Sequence, residues 1–346
     1  MLRTDDIHIR TVGPTGRITL TRPEALNAMT YEMCMAIGET IDHWRVDRDV
    51  KIIVIDAEGS RAFCSGGDIA ELYKTGREGD FEYGRKFWAD EYRINAKIRN
   101  YPKPFIALMD GIVMGGGVGI SAHGSHRVVT ENTLFAMPEC GIGLTPDVGG
   151  NWILAQAAGR IGEYLGATGA RLKAADCLFA GIADAYVPSQ RLPDLIEALE
   201  DTADLSFIDT FLDDPEPGEL EAHLPLINRY FSLDTATEII TALEASDGEW
   251  ETNTAKLMRR GCPLSVACAV EIVRASRNAQ KIEDVLKEEY RFTYRSMSHG
   301  DFIEGIRAQI IDKDRKPNWQ PASLEELDNE KISAMLEPLG ENELTF

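Results

Sequence analysis

Apolar residues alternate with polar ones from Ile7 to Val12 and from Arg17 to Thr21, around Gly13-Pro14-Thr15-Gly16, which predicts a β-hairpin at the start of the chain. From Tyr31 to about Val46 the period changes to that of a helix, with Met33, Ala36, Ile37, Ile41 and Trp44 on one face. A continuous apolar run, Ile52 to Ile55, predicts a buried strand. Glu82 to Asn100 predicts a long charged amphipathic helix, and Phe105 to Met109, bounded by prolines and Asp110-Gly111, a second buried strand. Strands alternating with helices imply an α/β layer architecture. Beyond about residue 190 the strand signals stop. Helical segments follow, broken at Asp213-Asp214-Pro215, Ser246-Asp247-Gly248, Gly261-Cys262-Pro263 and His299-Gly300. The organisation expected is therefore an α/β core over 1–200 and a helical region over 201–346, which covers the active site or makes subunit contacts. No internal repeat is legible.

The 346 residues and 44% hydrophobic content suit a globular chain with a substantial core. Thirty-six Lys and Arg against 57 Asp and Glu leave a net charge of −21. Such a field disfavours nucleic acid and anionic membranes as partners, although local cations or helix N-termini still admit a small anion. Cys34, Cys64, Cys140, Cys177, Cys262 and Cys268 are scattered, with no CxxC pair, which fits free thiols in a reducing compartment. Met1 to Arg10 mixes charged and apolar residues without a secretory apolar stretch, and the expected location is cytoplasmic.

Two glycine-rich segments carry candidate chemistry: Arg61-Ala62-Phe63-Cys64-Ser65-Gly66-Gly67-Asp68-Ile69 and Met114-Gly115-Gly116-Gly117-Val118-Gly119. Each lies between a predicted strand and a predicted helix, where glycine lets a ligand approach amides that the first helical turn leaves unpaired. Two such amides would form an oxyanion hole, each donor contributing about 3 to 4 kcal/mol to a developing oxyanion. Tight helix–strand packing is the bland alternative. Gly117-Val118-Gly119-Ile120-Ser121-Ala122, with Glu139 20 residues beyond Gly119, also matches a dinucleotide-binding pattern. That pattern lies over a hundred residues into the chain and leaves Ser65-Gly66-Gly67-Asp68 without a role.

Leu20-Thr21-Arg22-Pro23-Glu24-Ala25-Leu26-Asn27-Ala28-Met29, followed by both glycine segments, resembles the crotonase (enoyl-CoA hydratase/isomerase) superfamily in order and spacing. The resemblance implies a fold of stacked ββα units, with the acyl-CoA carbonyl held between the N–H groups of Gly67 and Gly116. It also implies coenzyme A contacts around Arg22, Ala25, Ala28, Gly66, Asp68 and Ile69. Hydratases of that superfamily carry two glutamates; here Gly119 stands at the first position and Glu139 at the second. Addition of water across a double bond needs two positioned acid/base groups, which demotes hydration. Met137-Pro138-Glu139 and Pro146-Asp147-Val148-Gly149-Gly150, together with Glu91-Tyr92 and the segment from His299 through Asp314 to Pro321, resemble the 3-hydroxyisobutyryl-CoA hydrolase branch.

That branch implies thioester hydrolysis in valine catabolism, with Glu139 as nucleophile or general base on water. Asp147 would bind the substrate 3-hydroxyl or assist proton transfer, and Glu91 would help close the pocket. No cofactor beyond the substrate's own coenzyme A, no metal and a possible homo-oligomer complete the expectation. His123 and His126 lack the further ligands of a metal site, and Ser65 and Ser121 lack a nucleophile-elbow context. Enoyl-CoA hydratase or isomerase activity, and a non-catalytic coenzyme A- or RNA-binding relative, are the alternatives.

Overall fold

The computed structural model of the chain describes residues 4–346; residues 1–3 of the N-terminal stretch read above lie outside them. Strands occur among the described residues at β1 (Ile7–Val12), β2 (Thr15–Leu20), β3 (Ile52–Ala57), β4 (Ala62–Cys64), β5 (Phe105–Met109), β6 (Ile112–Met114), β7 (His126–Val129), β8 (Leu134–Ala136) and β9 (Ala185–Tyr186). One sheet has the order β1-β2-β3-β5-β7-β9 and a smaller one the order β4-β6-β8. The predicted hairpin is present, with β1 antiparallel to β2 from Ile7 opposite Leu20 to Val12 opposite Thr15. All other pairs in the larger sheet are parallel.

Three strand pairs repeat one plan, as the family resemblance leads one to expect. In each, the first strand (β3, β5, β7) joins the larger sheet and the second (β4, β6, β8) joins the smaller one. A helical turn follows each pair: Ala70–Arg77, Gly116–Gly119 and Glu139–Ile142. The glycine segments and Glu139 therefore follow the carboxyl ends of the small-sheet strands, where parallel α/β folds place their ligands.

The chain divides into two compact units that interleave in sequence, and each is described by itself. The first runs to Asp68 and resumes over Arg93–Phe135 and Arg171–Glu221. Its apolar strand runs are explained by cover on both faces. On one side Ile52, Val54, Ile106, Leu108 and Val128 pack with Leu192, Leu195 and Leu199 of the helix Leu192–Thr202. On the other, Gly16 of β2 lies against Trp44 of the helix Tyr31–Val46, so closely that a Cβ at Gly16 would fall 2.7 Å from the indole.

The second unit comprises Ile69–Tyr92, Ala136–Ala170 and Ala222–Phe346. The helices Gly150–Gln156, Ile161–Thr168 and Pro263–Ser276 pack on one another. Gly162 permits this, because a Cβ there would meet the Leu154 carbonyl oxygen at 2.2 Å. Glu163, fully buried, accepts from Arg277 at 2.6 Å and Arg160 at 2.7 Å, so its charge is compensated where burial would otherwise be costly. The long helix Glu82–Arg99 passes from the second unit to the first after Tyr92.

Candidate active site

Within the first unit the two glycine segments are neighbours. β4 pairs in parallel with β6, and a Cβ at Gly117 would lie 2.4 Å from the Cys64 carbonyl oxygen, so only glycine allows that approach. Gly66, at φ +122°, faces the Met114 carbonyl. Met29 bridges to Gly67: the Met29 amide donates to the Gly66 carbonyl at 2.8 Å, and the Asp68 amide donates to the Met29 carbonyl at 2.8 Å. The Gly67 amide thus points to the opposite side. Gly116 opens the helix Gly116–Gly119, where an N–H has no partner within the helix. Neither amide has a backbone acceptor among the described residues.

The loop of the coenzyme A expectation is tightly organised in the same unit. Leu26 and Asn27 both have φ of +53°, a conformation that Asn tolerates but a leucine rarely adopts. Asn27 holds them there. Its Oδ1 accepts from the Arg22 amide at 2.8 Å, and its Nδ2 donates to the carbonyls of Glu58 at 3.0 Å and Ala62 at 2.8 Å. Arg22 donates to Asp68 Oδ2 at 2.9 Å and to the Ala28 carbonyl at 3.0 Å. The guanidinium thereby ties the Arg22–Ala28 turn to the Gly66–Ile69 loop, and Ala25, Ala28 and Ile69 remain partly accessible around it.

The carboxylates gather in the second unit. Asp147 is buried, and its Oδ2 accepts from the Tyr92 hydroxyl at 2.7 Å. Burial pushes the Asp147 carboxyl up to about 7, against the lowering effect of the Tyr92 bond. Glu139 begins its short helical turn buried, with Oε2 lacking any hydrogen-bond partner; burial first, then the charges of Asp147 and Glu289, hold its acid well above the ordinary range. Glu91 is likewise buried with an unpartnered Oε1, and is raised by burial and by Asp147. Two buried carboxyl oxygens without partners are costly in a folded chain unless a ligand or water meets them.

A fourth carboxyl joins these. Glu289, fully buried on the helix Ile282–His299, accepts from the Gly149 amide at 2.7 Å, the Asn151 amide at 3.0 Å and Asn151 Nδ2 at 2.9 Å. Burial and the Asp147 charge lift it to about 8. Its contacts close the turn bearing Asp147, in which Val148 has φ +54° and Gly149 φ +76°. A β-branched residue in that region costs about 1 to 3 kcal/mol and persists only where its surroundings enforce it.

Sequence reasoning named Glu91, Glu139 and Asp147, and the structure brings all three into one unit. It quoted Tyr92 only beside Glu91, without a role, and missed Asn151 and Glu289. Gly119 is buried at the end of its helical turn. Ser121 Oγ donates to the Gly117 carbonyl at 2.6 Å and Cys64 Sγ lies 3.5 Å from the Gly66 carbonyl, so both brace the glycine loops. Among the described residues no group of three or more His, Cys, Asp or Glu is arranged to hold a metal ion, and no helix is long and apolar enough to cross a membrane.

The sequence pattern of the enoyl-CoA hydratase/isomerase family matches residues 15–336. A curated protein from Gallus gallus, "3-hydroxyisobutyryl-CoA hydrolase, mitochondrial", is 39% identical over 350 residues, covering 98% of this chain and 90% of its own length. The Homo sapiens protein of the same name is 36% identical over 353 residues, covering 99% and 91%. A solved structure described as an enoyl-CoA hydratase from Rhodobacter sphaeroides 2.4.1 is 47% identical with a TM-score of 0.94, covering 99% of this chain and 100% of that one. One described as a carnitinyl-CoA dehydratase from Mycobacterium thermoresistibile is 37% identical with a TM-score of 0.95, covering 99% of both. The expected crotonase-like fold is thereby borne out. The cytoplasmic expectation is corrected: the vertebrate relatives are named as mitochondrial. Scattered free thiols speak for a reducing environment but do not distinguish between compartments that share one.

Proposed function

The chain belongs to the enoyl-CoA hydratase/isomerase family, and on that premise we propose that it hydrolyses a 3-hydroxyacyl-CoA thioester, 3-hydroxyisobutyryl-CoA in the first place, to the hydroxy acid and coenzyme A. It is an acyl-CoA thioester hydrolase. The thioester carbonyl accepts from the Gly67 and Gly116 amides, which stabilise the tetrahedral oxyanion. Glu139 either attacks the carbonyl carbon, giving a mixed anhydride that water then cleaves, or takes a proton from the attacking water. In both routes the C–S bond breaks and the thiolate of coenzyme A gains a proton. A basicity raised by burial suits either role near neutral pH.

Asp147 meets the 3-hydroxyl or relays a proton, and Glu91 lines the same acyl pocket. Discrimination against acyl groups without the hydroxyl follows, since the buried carboxyls would then lack their partner. Arg22, Ala25, Ala28, Gly66, Asp68 and Ile69 surround the coenzyme A moiety, with Arg22 ordering the loop through Asp68. No cofactor beyond that moiety is invoked. The acyl-CoA chemistry is assigned to residues 1–200, with 201–346 as a helical region that covers the active site or makes subunit contacts in a homo-oligomer. Valine catabolism is the metabolic context this substrate implies.

The observation that carries the reading is the buried Glu139 with an unpartnered oxygen beside the Asp147 charge. A hydratase reading draws support from the description of the Rhodobacter structure, but Gly119 offers no second carboxylate at the place where that chemistry uses one. Parallel assays separate them. Thiol release from 3-hydroxyisobutyryl-CoA, reduced by about 1,000-fold or more in Glu139→Gln, is the expected result. Loss of enoyl absorbance from crotonyl-CoA without thiol release would replace hydrolysis by hydration.

A further inference from the structure

Glu289 takes no part in the chemistry just described, yet it is fully buried and both of its oxygens are engaged. Its two oxygens receive three N–H donors, all from the segment 149–151. Asn151 extends the grip, because its Nδ2 also donates to the Pro146 carbonyl at 2.5 Å. The Gly150 amide donates to the Asp147 carbonyl at 2.7 Å. The segment 146–151 is thus closed on itself through one side chain from a helix more than 130 residues away in sequence. Among the described residues the charge acting on Glu289 is that of Asp147, an acid and not a cation, so ordinary charge pairing does not account for an acid buried there.

We propose that Glu289 is a positioning residue: by holding the amides of Gly149 and Asn151 it keeps the Asp147 turn in its left-handed conformation and the Asp147 carboxyl against the Tyr92 hydroxyl. The inference rests on the hydrolase reading only for its kinetic consequence. Geometrically, the Tyr92 hydroxyl fixes Asp147 at its side chain and Glu289 fixes it at its backbone. Both anchors come from helices, whereas Asp147 sits on a turn that could not define its own position. A carboxyl group is required at 289. Gln would present an NH2 group to one of three donors, and Asp would fall a methylene short.

The test compares Glu289→Gln with the unaltered chain, using 3-hydroxyisobutyryl-CoA and isobutyryl-CoA, which lacks the hydroxyl. A loss of folded protein scales both rates equally. Displacement of Asp147 instead lowers the preference for the hydroxylated ester, by about 10- to 100-fold for a shift of the order of 1 Å. Glu289→Gln added to Asp147→Asn should then change that preference little further. Should Glu289→Gln fail to fold, Asn151→Ala removes one donor and leaves both backbone amides; a smaller loss of preference in the same direction is expected. Amide hydrogen exchange supplies a second readout that needs no turnover, with faster exchange confined to residues 146–151 expected in either variant. An unchanged preference together with unchanged exchange in that segment overturns the inference. If the unaltered chain releases thiol from neither ester, the hydrolase reading falls, while the exchange measurement still decides the role of Glu289.

Discussion

The two glycine loops of the first unit and the carboxyl cluster of the second achieve their geometry by opposite means. In the loops the chemistry belongs to the backbone, and side chains matter mainly by being absent, as at Gly117, or by pinning the chain, as Asn27 does. In the cluster the chemistry belongs to the side chains of Glu91, Glu139 and Asp147, with Glu289 holding the turn that bears Asp147, and the backbone matters by being strained at Val148. The first kind of site is robust to most changes of side chain and intolerant of an added methyl. The second tolerates small changes of volume and is sensitive to any change of charge or donor.

The largest effect that would expose this difference is expected from Gly117→Ala. A methyl 2.4 Å from the Cys64 carbonyl oxygen forces the loops apart, and a displacement of the order of 1 Å should lower kcat by about 100-fold. The pH dependence of the residual activity should be unchanged; a shifted pH profile would mean that the loops and the carboxyls are not separable in this way. Next comes Tyr92→Phe, which removes the one hydroxyl donating to Asp147 Oδ2. That bond favours the carboxylate, so its loss should move the acid limb of the pH–rate profile upward by about one to two units. An unmoved limb would show that Asp147 does not titrate in the rate-determining range.

The smallest effect is on stability. Asp147 and Glu289 are lifted to about 7 and about 8 from ordinary values of 3.8 and 4.5. Folded protein therefore binds more protons than unfolded protein between those limits, and stability falls as pH rises. The contribution is complete below about pH 4 and is lost as pH passes through about 7 and 8. The midpoint of thermal unfolding should drop by a few degrees between about pH 5 and about pH 8, and Asp147→Asn should flatten that slope. Equal slopes in the two proteins would place the sensitivity elsewhere.

Legibility in the sequence follows the same division. The helix Tyr31–Val46 and the strand Phe105–Met109 are found where apolar periodicity predicts them, because each fills a full window of its period. The ββα repeat is not legible, since β4, β6 and β8 are three residues each and too short to show a period. Glycine loops announce themselves in composition. Glu289 does not, although a trace exists: it occupies the stripe of Ile282, Val285, Leu286 and Phe292 on its helix, where an acid has no reason to be unless it has buried donors to meet. Glu288 beside it is only half-buried, and spacing to that stripe is what separates the two.

Consider finally the three strand pairs as modular cassettes. Each anchors one strand in either sheet and delivers a short insert at the same point of its own connection, so the inserts can diverge without disturbing the strands that carry them. For protein engineering this makes the stretch after β6 a self-contained exchange unit. Restoring a glutamate at Gly119 would test whether a new carboxylate alone redirects the scaffold from cleaving a thioester to adding water across a double bond.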